Sequence, residues 1–350
     1  MHIYIFVIIF TTAQCLDLRK NGVFPNYYAS SIAIYKNRAF IALSRNSCYS
    51  NITTPTLIEA SWNGNNIVLH SGKKLFFKQI WGKCDQLQNV VSLDVEVKKA
   101  RLWILDEGNK KCPPKLLIYN LYGNYEVHVS SFYNFANEEL SYLSVDALTE
   151  FGTLCYITFK TSNNIIVFSL NNLGWCVVSF NSGPIHPHRI AISKSNLHLY
   201  LTADNNDELL ALNLSEVRNI GRQALMLDQK LGVAYVGKKL GPSTGIVIDV
   251  AGGLNYYLPR DYAVVRWDIN KPLSAEHHDV LLQSYGILPH VSHLFNDPHN
   301  NVWALVNPVD IKQCTKEDSK VVHEMSAVSR VVQLSKCLRR GLKVRMLKLL

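Results

Sequence analysis

The sequence predicts an all-β protein, a six-bladed β-propeller of four-stranded blades that ends in a short basic tail. Its 350 residues are 48% hydrophobic and 18% charged, so the chain can bury a large core and is neither disordered nor collagen-like. Between residues 30 and 310 helical periodicity is nearly absent. Instead, a short apolar strand, a polar turn and a second apolar strand recur along the chain.

The repeated strand pairs give the predicted number of blades. The pairs are 40–43 with 57–60, 102–106 with 116–119, 155–158 with 165–168, 199–202 with 209–212, and 245–249 with 263–267. A sixth strand, 302–305, has no clear second strand after it. Six such units, spaced irregularly along the chain, are typical of a propeller. A single four-stranded blade cannot bury both of its faces, whereas six blades arranged around a central axis can. Such a ring leaves a channel at its centre.

The amino end resembles a secretory signal peptide. An apolar run at 3–10 precedes small and polar residues, and this predicts a signal peptide over 1–15 with cleavage after Ala13 or Cys15. No later stretch is long and apolar enough for a membrane span. We therefore expect a secreted, extracellular protein. It would consist of a propeller (16–310), a closing segment (311–337) and a basic flexible tail (338–350).

The cysteines then become candidates for disulfide bonds, since an oxidising compartment favours them over metal ligation. Proximity along the chain predicts the pairs Cys84–Cys112, Cys155–Cys176 and Cys314–Cys337. Cys48 is left unpaired, or pairs with Cys15 if cleavage precedes that residue. Two sequons predict glycosylation, at Asn51 and Asn213.

The positive charge belongs mainly to the carboxyl end. The formal net charge is +9, which alone suggests an anionic partner. Residues 311–350 hold 10 Lys+Arg and 3 Asp+Glu, so the rest of the chain is nearly neutral. This distribution argues against nucleic acid as a partner of the propeller. The tail either contacts anionic surfaces or is a solvated terminus.

Several blocks in order suggest a family. The stretch 102–108, Cys112 and the stretch 114–121 resemble a block of the Yellow and major royal jelly proteins of insects. Further similar blocks are 92–94, 189–193, 241–245, 263–268, 280–284 and 302–307. The resemblance implies a secreted six-bladed propeller that acts in cuticle, pigmentation, saliva or reproductive fluid.

The resemblance also implies ligand-binding positions. In salivary amine-binding members an Asn, an aromatic residue and an earlier hydroxyl residue hold a biogenic amine. By position these become Asn307, Val309 and Ser292 here, of which Asn307 alone matches the family residue. From the residues themselves, Asp94, Asp106 and Asp249 near strand ends are candidate acceptors for an ammonium group. The alternative for each Asp is a turn cap.

Three functions remain open from the sequence. The first is a non-catalytic binding protein for a small aromatic amine or catechol in the channel. The second is a dopachrome-conversion enzyme of melanin formation, and the third is a structural or nutritive glycoprotein without a ligand. No catalytic residue, metal or cofactor is predicted, because phosphate-binding and nucleophile-elbow motifs are absent. Three pairs of histidines lie close together in the sequence: His186/His188, His277/His278 and His290/His293. Pro187 separates the first two residues, and no pair has nearby carboxylates at a spacing that would complete a metal site.

Overall fold

The structure is a computed structural model, and nearly all of its regular elements are β-strands. It describes residues 14–16, 28–45, 55–63, 67–68, 78–135, 140–149, 152–180, 186–204, 206–223, 229–307 and 329–335. The predicted signal peptide up to residue 13, Asn51, Cys48, Val309, Cys314, Cys337 and the basic tail lie outside these residues.

The first half of the described chain contains thirteen strands. They are β1 (Gln14–Leu16), β2 (Tyr28–Tyr35), β3 (Arg38–Ser44), β4 (Leu57–Trp62), β5 (Ile67–Val68), β6 (Val90–Glu96), β7 (Arg101–Asp106), β8 (Lys115–Asn120), β9 (Tyr125–Ser131), β10 (Leu140–Thr149), β11 (Gly152–Phe159), β12 (Asn164–Ser169) and β13 (Gly174–Phe180). Short 3₁₀ turns occupy Val97–Lys99 and Tyr133–Phe135.

The second half adds eleven strands and a helix. The elements are β14 (Arg189–Ser193), β15 (His198–Thr202), β16 (Asn206–Asn213), α1 (Leu214–Gln223), β17 (Gln229–Leu231), β18 (Ala234–Ile248), β19 (Gly253–Leu258), β20 (Ala263–Asp268), β21 (His278–Gln283), β22 (His290–Asn296), β23 (Val302–Asn307) and β24 (Ser329–Ser335). A 3₁₀ turn occupies Ala275–His277.

The strands form five sheets in which neighbours are antiparallel, apart from the parallel pair β13 and β17. The strand orders are β2-β3-β4-β5, β6-β7-β8-β9, β10-β11-β12-β13-β17, β14-β15-β16-β18-β19-β20-β21 and β1-β24-β23-β22. In the seven-stranded sheet, the long strand β18 pairs with β16 through its first part and with β19 through its last part. Two sets of strands are therefore joined by one continuous strand.

Four of the five predicted strand pairs are hydrogen-bonded neighbours, namely β3/β4, β7/β8, β11/β12 and β15/β16. The fifth prediction is wrong in its pairing, because β19 lies between β18 and β20. The sixth apolar strand, β23, has β24 as its following partner, and β24 begins at Ser329. The helix α1 was not predicted.

Six strands surround the centre of the molecule. Each of β2, β6, β10, β14, β18 and β22 contacts the next one in this order, and β22 contacts β2. Side chains join them: the Leu143 N–H donates to Ser92 Oγ, and the Val145 N–H donates to Asp94 Oδ2. Moving two residues along β6, from Ser92 to Asp94, moves the partner two residues forward along β10, from Leu143 to Val145, so the two strands run in the same direction. We call these six the inner strands.

Aromatic side chains fill the space between neighbouring sets of strands, both between sheets and within the seven-stranded sheet. Trp62 of β4 packs edge-on against Trp303 of β23, with ring centroids 5.0 Å apart. Trp103 packs in the same way on Phe168, and Trp267 on Tyr200. Trp103, Trp267 and Trp303 are all at most 3% exposed. Large buried rings of this kind dominate core energetics.

The cysteines divide into one bonded pair and two free thiols. Cys84 and Cys112 form a disulfide, as the sequence predicted. The predicted Cys155–Cys176 bond is wrong, because both thiols are free and buried. They lie on β11 and β13, which are separated by β12. Across these three strands, Cys176 lies in register with Val167 and Tyr156, one position away from Cys155. Successive residues of a strand face opposite sides, so the two thiols enter different cores.

Candidate functional site in the central channel

The inner strands enclose a cavity of about 830 Å³ that contains residues from all six. Its walls combine polar side chains with apolar ones, of which each strand supplies at least one: Ile34, Val95, Val145, Ile192, Val247 and Phe295. We call its exposed end the mouth, where Val97, Lys98, Lys194 and Val250 line the cavity. A cavity of this size, with apolar walls and several polar groups, can hold a small molecule.

Asp94 supplies the carboxylate of this cavity. It is half-buried on β6; its Oδ1 accepts the Val95 N–H and its Oδ2 accepts the Val145 N–H, both at 2.7 Å. Burial raises the pKa of Asp94 to about 6, although these two N–H groups and the charge of Lys194 act in the opposite direction. Each oxygen has capacity for a further hydrogen bond, so the group can still accept one from a ligand.

Tyr142 and His293 form the polar deep end. The Ile32 N–H donates to His293 Nδ1 (3.2 Å), and His293 Nε2 lies 3.1 Å from Tyr142 Oη. Burial, reinforced by the charge of Arg189, lowers the pKa of His293 to about 3, so the ring is neutral. The proton must then sit on Nε2, which donates to Tyr142. The Tyr142 hydroxyl hydrogen consequently remains for another acceptor.

A buried ion pair supports Tyr142 from behind. The Arg189 guanidinium lies 5.5 Å from the centre of the Tyr142 ring. Its Nε and Nη2 donate to Asp204 at 3.1 and 3.3 Å. Burial and the nearby Asp94 charge raise the pKa of Tyr142, so the phenol stays protonated.

Two other acidic candidates have structural partners. The carboxylate of Asp106 accepts backbone N–H bonds from Gln88, Asn89 and Gly108. Asp249 also lines the cavity, but Arg266 donates to both of its oxygens, at 2.6 and 3.3 Å. Asp106 and Asp249 therefore have structural roles, as in the alternative that each Asp caps a turn. Of the three candidates, Asp94 remains available to accept a hydrogen bond from a ligand ammonium group in the channel.

The positions transferred from the amine-binding proteins lie elsewhere. Ser292 and Asn307 are buried and do not line the cavity. Asn307 Oδ1 accepts the Ala29 N–H, and its Nδ2 donates to the Ala29 carbonyl and to Ser292 Oγ. Ser292 Oγ donates to the same carbonyl at 2.7 Å. The pair thus joins β22 and β23 to β2, while Val309 lies outside the described residues.

The histidine pairs are likewise divided among separate contacts. His188 Nε2 accepts the Asp204 N–H, whereas His186 is exposed and lies 2.6 Å from Asn163. Tyr256 hydroxyl contacts His278, and Tyr28 hydroxyl contacts His290. Within the part of the chain that the structure describes, no three metal-ligating side chains come together. In the same part, no helix has the length and apolar character needed to cross a bilayer.

A closed ring of antiparallel sheets around a ligand-sized cavity is the architecture of a propeller-like, all-β protein. The model of the family described as major royal jelly protein matches residues 187–337. This match confirms the resemblance to the Yellow and major royal jelly protein family that the sequence blocks indicated.

Solved structures of low sequence identity also resemble the chain. The structure of U3-55K is 12% identical, with 87% of this chain and 80% of that chain covered and a TM-score of 0.48. The crystal structure of RRP9 WD40 repeats is 11% identical over the same shares, with a TM-score of 0.49. A nidogen/laminin complex is 13% identical over 79% of this chain and 83% of that chain, with a TM-score of 0.49. No curated protein matches the chain.

Proposed function

We propose that the chain is a secreted, Yellow-like six-bladed propeller that binds a small aromatic amine or catechol in its central channel without catalysis. The observation that carries this proposal is the half-buried Asp94 carboxylate, which forms no ion pair among the described residues, in a cavity of about 830 Å³ with apolar walls beside it. An unpaired carboxylate in such surroundings is a favourable partner for a ligand ammonium group.

Strand pairing supports the count of six blades. The six inner strands contact one another in a closed cycle, and each begins a run of antiparallel neighbours. The first part of β18 is the fourth strand after β14, β15 and β16, while its last part is the first strand before β19, β20 and β21. β1 is the fourth strand beside β22, β23 and β24. Every blade then has four strands, with β17 added to one.

The two polar groups of the channel suit the two ends of a hydroxylated aryl amine. Val145, which is bonded to Asp94, lies three residues after Tyr142 on β10. At about 3.3 Å per residue, this separation is about 10 Å along the channel. The ammonium group would bind Asp94, the ring would contact the apolar walls, and a ring hydroxyl would accept the Tyr142 hydrogen.

Calorimetric titration with dopamine, serotonin and octopamine tests this function. We expect at least one amine to bind, and D94N to weaken it by about tenfold or more, since a charge-assisted bond is lost. D207N is the matched control, because Asp207 pairs with the exposed Lys238 and does not line the cavity. Absence of heat with all three amines at high micromolar concentration would favour a structural or nutritive glycoprotein instead.

Dopachrome conversion is a second candidate, favoured by the pKa of about 6 at Asp94. A carboxyl group that titrates near neutral pH is suited to proton transfer. The assay follows loss of dopachrome absorbance with purified protein, D94N and boiled protein. A rate equal in all three samples rules out this activity.

A further inference from the structure

We propose that the natural ligand of the channel is a zwitterionic aromatic amino acid, held by Asp94 through its ammonium group and by Lys194 and Lys98 through its carboxylate. This inference rests on the proposed function, in which Asp94 binds a cationic group, and it narrows the ligand class. The presence in one cavity of the Asp94 carboxylate and of two lysines at the mouth carries it.

The two lysines reach the mouth from different elements. Lys194 directly follows β14, and Lys98 lies in the 3₁₀ turn that follows β6. Both side chains line the cavity and are exposed. Among the residues that the structure describes, neither ammonium group forms an ion pair or a hydrogen bond. They therefore remain available to an anion.

Asp94 lines the same cavity as these two cations and, within the described residues, forms an ion pair with neither. Asp94 and Lys98 are four residues apart along one segment, and β10 separates β6 from β14. Lys194 is close enough to lower the pKa of Asp94, yet the two groups form no ion pair. Opposite charges that face one cavity and stay apart leave space between them. The α-ammonium and α-carboxylate of an amino acid are attached to one carbon atom and match that arrangement.

The same lysines disfavour ligands with a single charge. A simple amine would have to pass two ammonium groups at the mouth, and this like-charge repulsion lowers its local concentration. An aromatic acid without an amine would face the Asp94 carboxylate. Repulsion of singly charged compounds therefore adds to the attraction for a zwitterion and increases the selectivity of the site. Deeper in the cavity, the apolar walls and Tyr142 suit a hydroxylated ring.

Three ligands with the same ring test the inference by calorimetry at pH 7.5: L-DOPA, dopamine and 3,4-dihydroxyphenylpropionate. We expect L-DOPA to bind about tenfold or more tightly than either singly charged compound. The double variant K98Q/K194Q should abolish this preference by weakening L-DOPA, while dopamine binds equally or more tightly. K110Q/K111Q, two exposed lysines outside the cavity, should bind as the wild type does.

The outcomes separate this inference from the function on which it rests. If dopamine binds wild-type protein as tightly as L-DOPA, or if K98Q/K194Q weakens both equally, the zwitterion inference is wrong and the amine-binding function stands. If none of the three compounds binds but serotonin or octopamine does, the zwitterion inference alone is wrong; if no amine binds either, both are wrong. Binding of the propionate alone would exclude Asp94 as an ammonium acceptor.

Discussion

Asp94 is a residue whose ionised form the fold disfavours. Burial raises its pKa from 3.8 to about 6, so the folded protein holds the proton more tightly than the unfolded chain does. Stability that depends on this proton is present at low pH and is lost as the pH rises through the interval between the two values. At neutral pH the charged form of Asp94 therefore lowers the stability relative to its protonated form, which agrees with a role in binding.

We therefore expect the stability of D94N relative to the wild type to depend on pH. The amide nitrogen cannot accept the N–H group that one Asp94 oxygen accepts, which costs stability at every pH. The difference should shift in favour of D94N between about pH 4 and about pH 6 and stay constant above that, because the amide cannot ionise. Thermal unfolding of wild type, D94N and D207N at several pH values measures this. An equal shift for D94N at all pH values would contradict the assigned cause.

The residues of the site differ in how far the sequence predicts them. Asp94 was a candidate because it lies near the end of an apolar strand, and the structure leaves it facing the channel. Tyr142 and His293 are 151 residues apart, and their contact depends on the packing of β10 and β22. No local pattern in a single sequence reports such a contact. Asn307 and Ser292 were transferred by position, and the structure gives them backbone partners instead.

At the scale of elements, the helix α1 escaped prediction because it is short. It has ten residues, and only Leu214, Val217 and Gly221 of its inner face are buried. Its first turn is capped by Asn213, whose Oδ1 accepts the N–H groups of Ser215 (2.9 Å) and Glu216 (3.4 Å). The residue of a predicted glycosylation sequon is thus also a helix cap, and it is exposed.

The two roles of Asn213 can be separated by substitution. We expect N213D to lose any glycan but keep the cap, since a carboxylate accepts the same N–H groups. N213Q should lose both and destabilise the protein by about 1 kcal/mol relative to N213D. Mass change on enzymatic deglycosylation and chemical denaturation measure the two effects. Equal stability of N213D and N213Q would mean that the cap contributes nothing.

The disulfide Cys84–Cys112 connects the segment before β6 to the loop between β7 and β8. It encloses a loop with a sequence separation of 28, so its removal should cost about 3 to 4 kcal/mol in the chain-entropy model. The double variant C84S/C112S should therefore unfold at lower denaturant concentration. Wild-type protein in strong reductant is the control and should match it. If reductant leaves the wild type unchanged, the bond does not form in solution.

The wrong pairing of Cys155 with Cys176 shows a limit of arguments from chain separation. A loop of suitable length says nothing about which face of a sheet each residue occupies. That depends on strand register, which here places Cys176 opposite Val167 and in the row of Tyr156. The apolar runs predicted that these strands exist, but they did not predict which face of the sheet each side chain occupies.

At the scale of the whole molecule, the ring is closed by strands from both ends of the described chain. β1 pairs with β24, with Gln14 opposite Val331 and Leu16 opposite Ser329. The sequence predicted the ring from its repeats but left the last unit incomplete. The partner of β23 comes after a long insertion, and the outermost strand comes from the amino end. Neither could be found by looking for a neighbouring apolar run.

The closure by β1 distinguishes the two predicted cleavage positions. Cleavage after Cys15 would remove two of the three residues of β1, whereas cleavage after Ala13 keeps all of them. We therefore expect protein secreted from its own leader to begin at Gln14, which amino-terminal sequencing determines. A start at Leu16 with unchanged thermal stability would show that β1 contributes little.

The long strand β18 has a consequence for how the molecule opens. Residues 234–243 of β18 pair with β16 and residues 244–248 pair with β19, so movement of either set displaces the backbone to which the other set is bonded. Local opening events follow such shared hydrogen bonds. Residues 189–213 and 253–283 should then exchange their amide hydrogens as one cooperative unit. The sheets β2–β5 and β6–β9 share no strand and are joined through side-chain bonds such as that from the Leu93 N–H to Ser31 Oγ, so we expect their exchange to be less tightly coupled.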